Sequence, residues 1–182
     1  MVNVVPDDVR IETYVRAATT EALQSVNEKV DRALQSGAMA VGAQARIKTT
    51  PGYLPAFYDP QFCALFGRNG VSLLGESAFA DQSESGGGFS SDMGDVCHIM
   101  PALQAFAAGW EGSAHTSAYL VSDDEVAYIL PAKVMAMTVI DLLWGEAAIA
   151  ADIVRNHTPV LTKEEYLAFM RGMNSESVFP GV

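Results

Sequence analysis

Five side chains of metal-binding type stand in one region of the chain: Asp92, Asp95, Cys97, His98 and, further on, His115. Carboxylate, thiolate and imidazole are the ligands that divalent transition metals take. Their spacing does not match a closed zinc site, which needs four ligands in set pairs. The plainer reading makes Asp92 and Asp95 turn or cap residues and Cys97 a small core residue. His115 sits in Gly112-Ser113-Ala114-His115-Thr116-Ser117, where small neighbours allow the backbone to approach something closely. Gly86-Gly87-Gly88 lacks both the Lys-Ser/Thr ending of a P-loop and the spacing of a dinucleotide fingerprint, so a loop is expected. His157, near Pro159 in a polar connection, reads as solvated. Arg16 ends an alternating stretch on its polar side. No Ser/His/Asp triad follows from the order of residues.

The elements that must position these groups are partly legible. Residues 9–16 alternate, with Val9, Ile11, Thr13 and Val15 on one side, which predicts a half-buried strand. Thr19 or Thr20 caps a following helix, with Glu21 in its first turn and an apolar stripe of Leu23, Val26, Val30, Ala33 and Leu34. Residues 43–50 alternate again, with Ala45, Ile47 and Thr49 inward. The first fifty residues therefore predict a β-α-β unit. Pro51-Gly52 and Pro55 break the pattern and mark a junction near 51–60. A short helix is expected over about 60–67, a loop over 81–95, and a strand somewhere between Cys97 and Trp110. A long helix should run from Asp123-Asp124-Glu125 to about Trp144, and a second over about 146–154. Thr162 with Glu165 forms a capping box that opens a last helix through Met170. The expected class is α+β (mixed α/β): a β-α-β lid-like piece, then a mixed sheet flanked by helices.

Composition narrows the function classes. The 182 residues are 49% hydrophobic and 18% charged, a globular balance. Eleven Lys+Arg against 22 Asp+Glu give a net charge of −11, which argues against nucleic acid and anionic membrane surfaces as partners. The two cysteines, Cys63 and Cys97, are too few for a disulfide framework and suit a reducing cytoplasm. No basic and then apolar leader is visible at the N-terminus. The apolar tract around 126–151 is interrupted by Pro131, Lys133, Asp141 and Glu146, so it reads as a buried helix or helix pair and not a membrane span.

Several segments, in order, resemble the dinuclear-zinc amidohydrolase and exopeptidase family. Asn3-Val4-Val5-Pro6-Asp7 followed by Glu12-Thr13-Tyr14-Val15-Arg16 is similar to its lid-domain strand. Ser91-Asp92-Met93-Gly94-Asp95-Val96-Cys97-His98-Ile99-Met100-Pro101 resembles a Ser/Thr-Asp-x-Gly-Asp-Val-Ser-x-x-x-Pro segment of the aminobenzoyl-glutamate hydrolase branch, with Cys97 where that branch has Ser. Gly112-Ser113-Ala114-His115-Thr116 is similar to that branch's metal-binding Gly-His-Ser segment, and residues 132–143 to its long C-terminal helix.

The resemblance implies residues 1–52 as a partial lid, of a kind used in dimerisation, and 53–182 as the C-terminal half of a catalytic domain. It implies His115 as a metal ligand and Arg16, Asp92 and Asp95 as substrate-binding residues. The expected function is a fragment or subunit of a metal-dependent amidohydrolase that cleaves an amide bond of an N-acyl or aminobenzoyl amino acid, a small-molecule substrate. Zinc or another divalent metal would serve the complete enzyme. The family's remaining metal ligands and its general base belong to a separate N-terminal half. This chain alone is thus expected to be inactive and to hold no tightly bound metal. The competing expectation is an inactive, self-associating remnant that binds a small molecule or a partner. Self-association is expected either way, since a three-element lid piece leaves strand edges open.

Overall fold

The computed structural model describes residues 3–79 and 91–181, so the glycine triplet and most of the expected 81–95 loop lie outside the described residues. Its class is α+β, with five α-helices and two small antiparallel sheets of two strands each among the described residues. The chain divides into two compact units: residues 1–49 with 175–182, and residues 50–174.

The first unit is built on helix α1 (Thr20–Ala40). The Thr19 hydroxyl accepts the Ala22 N–H at 3.1 Å, and Glu21 lies in the first turn, favourable at the positive end of the helix dipole. Leu23, Val26, Val30 and Leu34 fall on the half-buried face, whereas Ala33 is exposed. Strand β1 (Ala45–Thr49) follows the expected alternation, with Ala45, Ile47 and Thr49 on its covered side. Its partner is the C-terminal strand β4 (Ser175–Phe179), paired antiparallel with Ile47 opposite Ser177.

The expected strand over 9–16 is not formed. Val9, Ile11 and Tyr14 are exposed, and no ladder reaches them. A period-two pattern makes a segment fit for a sheet, but only a paired neighbour makes it a strand. Here β1 pairs with a strand from the far end of the chain.

The second unit packs α2 (Pro60–Leu74) against α4 (Leu130–Asn156). Leu65, Val134 and Ile153 are buried in these helices. The buried Asn69 amide donates to Thr138 Oγ1 at 3.2 Å and to Asp141 Oδ2 at 2.9 Å, so a polar clamp fixes the register of the two helices. A π-helical turn over Glu125–Ile129 leads into α4. The break expected between Trp144 and Glu146 is present as a kink: Gly145, Glu146 and Ala147 all have positive φ. Helix α5 (Lys163–Met173) opens on the expected capping box, with Thr162 Oγ1 accepting Glu165 N–H and Glu165 accepting Thr162 N–H. The Thr162 N–H and hydroxyl both donate to the Glu165 carboxylate at 2.8 Å and hold it below its ordinary pKa.

Two expectations are corrected here. Residues following Cys97 do not begin a strand. Met93–Ile99 is instead a short helix, α3, and only Trp110–Glu111 (β2) pairs, with Leu120–Val121 (β3). The apolar tract is helical but not buried. Glu125–Asn156 is long and apolar enough to cross a membrane by length and composition only, and 17% of its apolar window is covered. Met135, Val139, Ile140, Leu143 and Trp144 are all exposed.

Helix α3 is fixed by a close approach. A Cβ at Gly94 would collide with the Leu54 carbonyl oxygen, while Asp95 Oδ1 accepts the Leu54 N–H at 3.0 Å. Only glycine lets the helix meet that backbone. We expect Gly94→Ala to destabilise the protein by about 1–3 kcal/mol, the range for overpacking a fitted site. Equilibrium urea unfolding measures it, and an unchanged midpoint would refute the account.

Candidate functional site

Asp92, at the head of α3, is exposed, and its side chain makes no capping hydrogen bond. Ser91 caps this end instead, with its Oγ accepting Met93 N–H at 3.3 Å. Ser91 also donates to Gln104 Oε1 at 2.9 Å, which accepts the Tyr58 hydroxyl as well at 3.1 Å. Asp95 is half-buried and braces three segments. It holds the Leu54 backbone, sits in the first turn of α3, and accepts the Tyr166 hydroxyl of α5. Burial, then the charge of Asp95 and that hydrogen bond, raise the Tyr166 hydroxyl's pKa.

Cys97 and His98 point into the core, at 1% and 3% exposure. His98 Nδ1 lies 2.8 Å from the Gly94 carbonyl, so Nδ1 carries the proton and donates. The Phe57 ring meets the imidazole edge-on at 4.9 Å. Burial raises the Cys97 thiol's pKa, and backbone hydrogen bonds at Phe57 and at Cys97 itself pull it part of the way back. We expect a thiol reagent near pH 8 to modify the half-exposed Cys63 before Cys97 in the folded chain, because the thiolate is the reacting form. Peptide mass mapping over time gives the order, and equal rates would refute the placement.

His115 lies at the opposite extreme. It sits at the exposed tip of the β2–β3 hairpin with φ +65°, a left-handed conformation seldom taken by residues other than glycine. The turn around it is tied by Thr116 Oγ1 donating to Ser113 O at 2.8 Å. Gly112 permits the crossing, since a Cβ there would strike the Ala118 carbonyl. Arg16 belongs to the other unit. It is exposed, and its guanidinium carbon lies 5.9 Å from the centre of the Tyr14 ring.

Among the described residues, no three His, Cys, Asp or Glu side chains come together to hold a metal ion. A catalytic zinc takes three protein ligands, so His115 on its own does not fit one.

One pair escaped the sequence reading. His157, expected in solvent, is half-buried with its side chain largely covered, and its Nδ1 lies 3.0 Å from Asp59 Oδ2, with side-chain exposures of 9% and 7%. The other Asp59 oxygen accepts the Phe62 N–H and so caps α2. His157 closes the C-terminal end of α4. Its Nε2 is buried without a hydrogen-bond partner. The only sequence signal was Asp59-Pro60, a helix start with proline at the first position. Nothing in the sequence links Asp59 to a histidine so distant. We expect Asp59→Ala to cost about 2–4 kcal/mol, from a lost cap and a buried imidazole left unpaired. Asp59→Asn, which keeps the cap acceptor, should cost less. Denaturant midpoints of the two variants check this, and equal losses would count against it.

The chain is similar to two proteins named Xaa-Arg dipeptidase. The mouse protein is 26% identical over 171 residues, covering 91% of this chain and 39% of its own. The human protein is 26% identical over 148 residues, covering 78% and 34%. This chain thus spans well under half the length of these relatives. No family profile and no solved structure matches it. The likeness supports a peptidase- or amidohydrolase-like chain.

Proposed function

We propose that this chain is one part of a metal-dependent amidohydrolase or peptidase, acting on a dipeptide or N-acyl amino acid together with a separate polypeptide that supplies the remaining groups. The observation that carries this reading is the likeness itself: nearly the whole chain aligns with a protein named Xaa-Arg dipeptidase. The unit of residues 1–49 with 175–182, and not residues 1–52 alone, would serve as the lid, and residues 50–174 as part of the catalytic domain.

Within that reading His115 has a physical rationale. An exposed imidazole at a hairpin tip, held at positive φ by a tied turn, is a group presented outward at some backbone cost. It is the one imidazole this chain would offer to a shared centre. Asp92, exposed beside α3, remains a candidate for substrate contact. Asp95 is already engaged with Leu54 and Tyr166, so its role would be to position α3. Arg16 offers a planar fork suited to a carboxylate.

The exposed apolar side of α4 supports the need for a covering partner. It supports a second reading equally: an inactive remnant that covers this face with another copy of itself.

Isolation of the tagged chain from the cells that encode it tests the proposal. A companion polypeptide should co-purify, and the complex should hydrolyse a dipeptide panel that includes Xaa-Arg substrates. His115→Ala should lower that rate about a hundredfold or more. The recombinant chain alone should hydrolyse none of them. Full activity of the single chain, or an unchanged rate in the His115 variant, would overturn the reading. An inactive dimer without companion would establish the second one.

A further inference from the structure

Between residues 134 and 144 every exposed side chain of α4 is apolar: Met135, Ala136, Val139, Ile140, Leu143 and Trp144. Their spacing lays them along one side of a helix. The other side holds Val134 and Thr138, both buried, and Thr138 meets Asn69 of α2. The one acid in this span, Asp141, is half-buried, and its carboxylate accepts the Asn69 amide at 2.9 Å. The nearest charges on the exposed side are Lys133 and Glu146, one beyond each end. Positive φ at Gly145, Glu146 and Ala147 ends the regular helix at Trp144. Helix α1 is of the ordinary kind by comparison, with Glu28, Lys29 and Arg32 on its exposed side.

Size and charge favour a second copy of this chain as the cover. The five larger side chains are 51% to 80% exposed and leave on the order of 600 Å² of apolar surface in water, the top of the range for the largest patch of a monomer. Doubled across two copies it reaches about 1,200 Å², where specific interfaces begin. Two chains of net charge −11 repel one another, and a neutral stripe lets them touch with no like charges in the contact. The end charges set the orientation. A two-fold axis between Val139 and Ile140 runs the helices antiparallel and brings the Lys133 end of each onto the Glu146 end of the other, whereas a parallel pair would set like against like. The same axis sets Met135 opposite Trp144 of the other copy, a thioether against an aromatic ring, and Ala136 opposite Leu143, small against large. Lys133 is also held by Glu125 at 3.1 Å, so the end charges orient the pair and the apolar stripe holds it.

We propose that two copies of this chain pair antiparallel through α4, about a two-fold axis at Val139 and Ile140. This goes beyond the hydrolase reading and does not rest on it. The α4 face belongs to a second copy, and a companion polypeptide would bind elsewhere, whether or not the assembly is active.

Sedimentation velocity of the purified full chain at micromolar concentration should show a species of twice the chain mass. Val139→Glu sets two carboxylates together at the axis and should weaken the dimer about a hundredfold or more, with helix content unchanged by circular dichroism. Val154→Glu, at an exposed apolar position outside the stripe, should leave the dimer intact. Cross-linking fixes the register, in a Cys63→Ser background that removes the half-exposed native thiol. Under mild oxidation Val139→Cys should join the two copies, because a disulfide needs Cα atoms within about 7 Å. Met135→Cys should not, since the antiparallel pair sets its two copies about 13 Å apart along the helix axis. Should Val139→Glu lose helix content, the cross-linking decides by itself. A monomeric chain, a dimer that survives Val139→Glu, or cross-linking through Met135→Cys in place of Val139→Cys would overturn the proposal. A chain that is monomeric alone and loses its companion on Val139→Glu would assign the face to the companion and overturn it likewise. None of these measurements reads hydrolysis, so a failed dipeptide assay leaves the pairing standing, and a failed pairing leaves the hydrolase reading standing.

Discussion

The second unit depends on a contact with no side chain on one partner. Gly94 brings the first turn of α3 onto the backbone at Leu54, and Asp95 seals the contact by taking the Leu54 N–H. Leu54 is fully buried as a result. From that point the chain runs along α3: Phe57 packs on His98, and the Asp59 N–H reaches the Ala102 carbonyl at 2.9 Å. The Leu161 N–H then bonds the His98 carbonyl at 3.0 Å. Asp59 in turn caps α2 and holds His157 at the end of α4. A seven-residue helix, too short to be stable alone, therefore joins four segments. The Asp-Met-Gly-Asp motif has a structural explanation at its third and last positions, Gly94 and Asp95. The Asp92 side chain is exposed and makes no capping hydrogen bond, while its carbonyl accepts the Asp95 and Val96 N–H groups.

What could be read in the sequence was what rests on neighbours in the chain. The Thr19 cap, the Thr162–Glu165 box, the alternation of β1 and the break at Trp144–Glu146 are encoded within a few residues, and all are present. What could not be read rests on distant partners. Strand β1 takes β4 from the far end of the chain as its partner, and residues 9–16 join no ladder among the described residues. Helix α3 was hidden by Gly94 and Pro101, which signal breaks locally but serve a close approach and a stop here. The long helix was placed correctly and its burial misjudged. Hydropathy reports that a surface is apolar, and does not report what covers it.

The candidate site divides in the same way. Cys97 and His98 carry metal-ligand chemistry by type, but adjacent positions on a short packed helix put both into the core. His98 is occupied by the Gly94 carbonyl. His115 has no such engagement for its ring among the hydrogen bonds that tie its turn, which use Ser113, Thr116 and Tyr119. A residue type alone did not separate these histidines; backbone placement does.

A group held at some cost in a chain that gains nothing visible from it points outward. His115 keeps positive φ where glycine would be relaxed. The apolar side of α4, with Trp144 at 80% exposure, stays in water at a cost that grows with its area. Exposed apolar surface of this kind becomes favourable when another surface covers it.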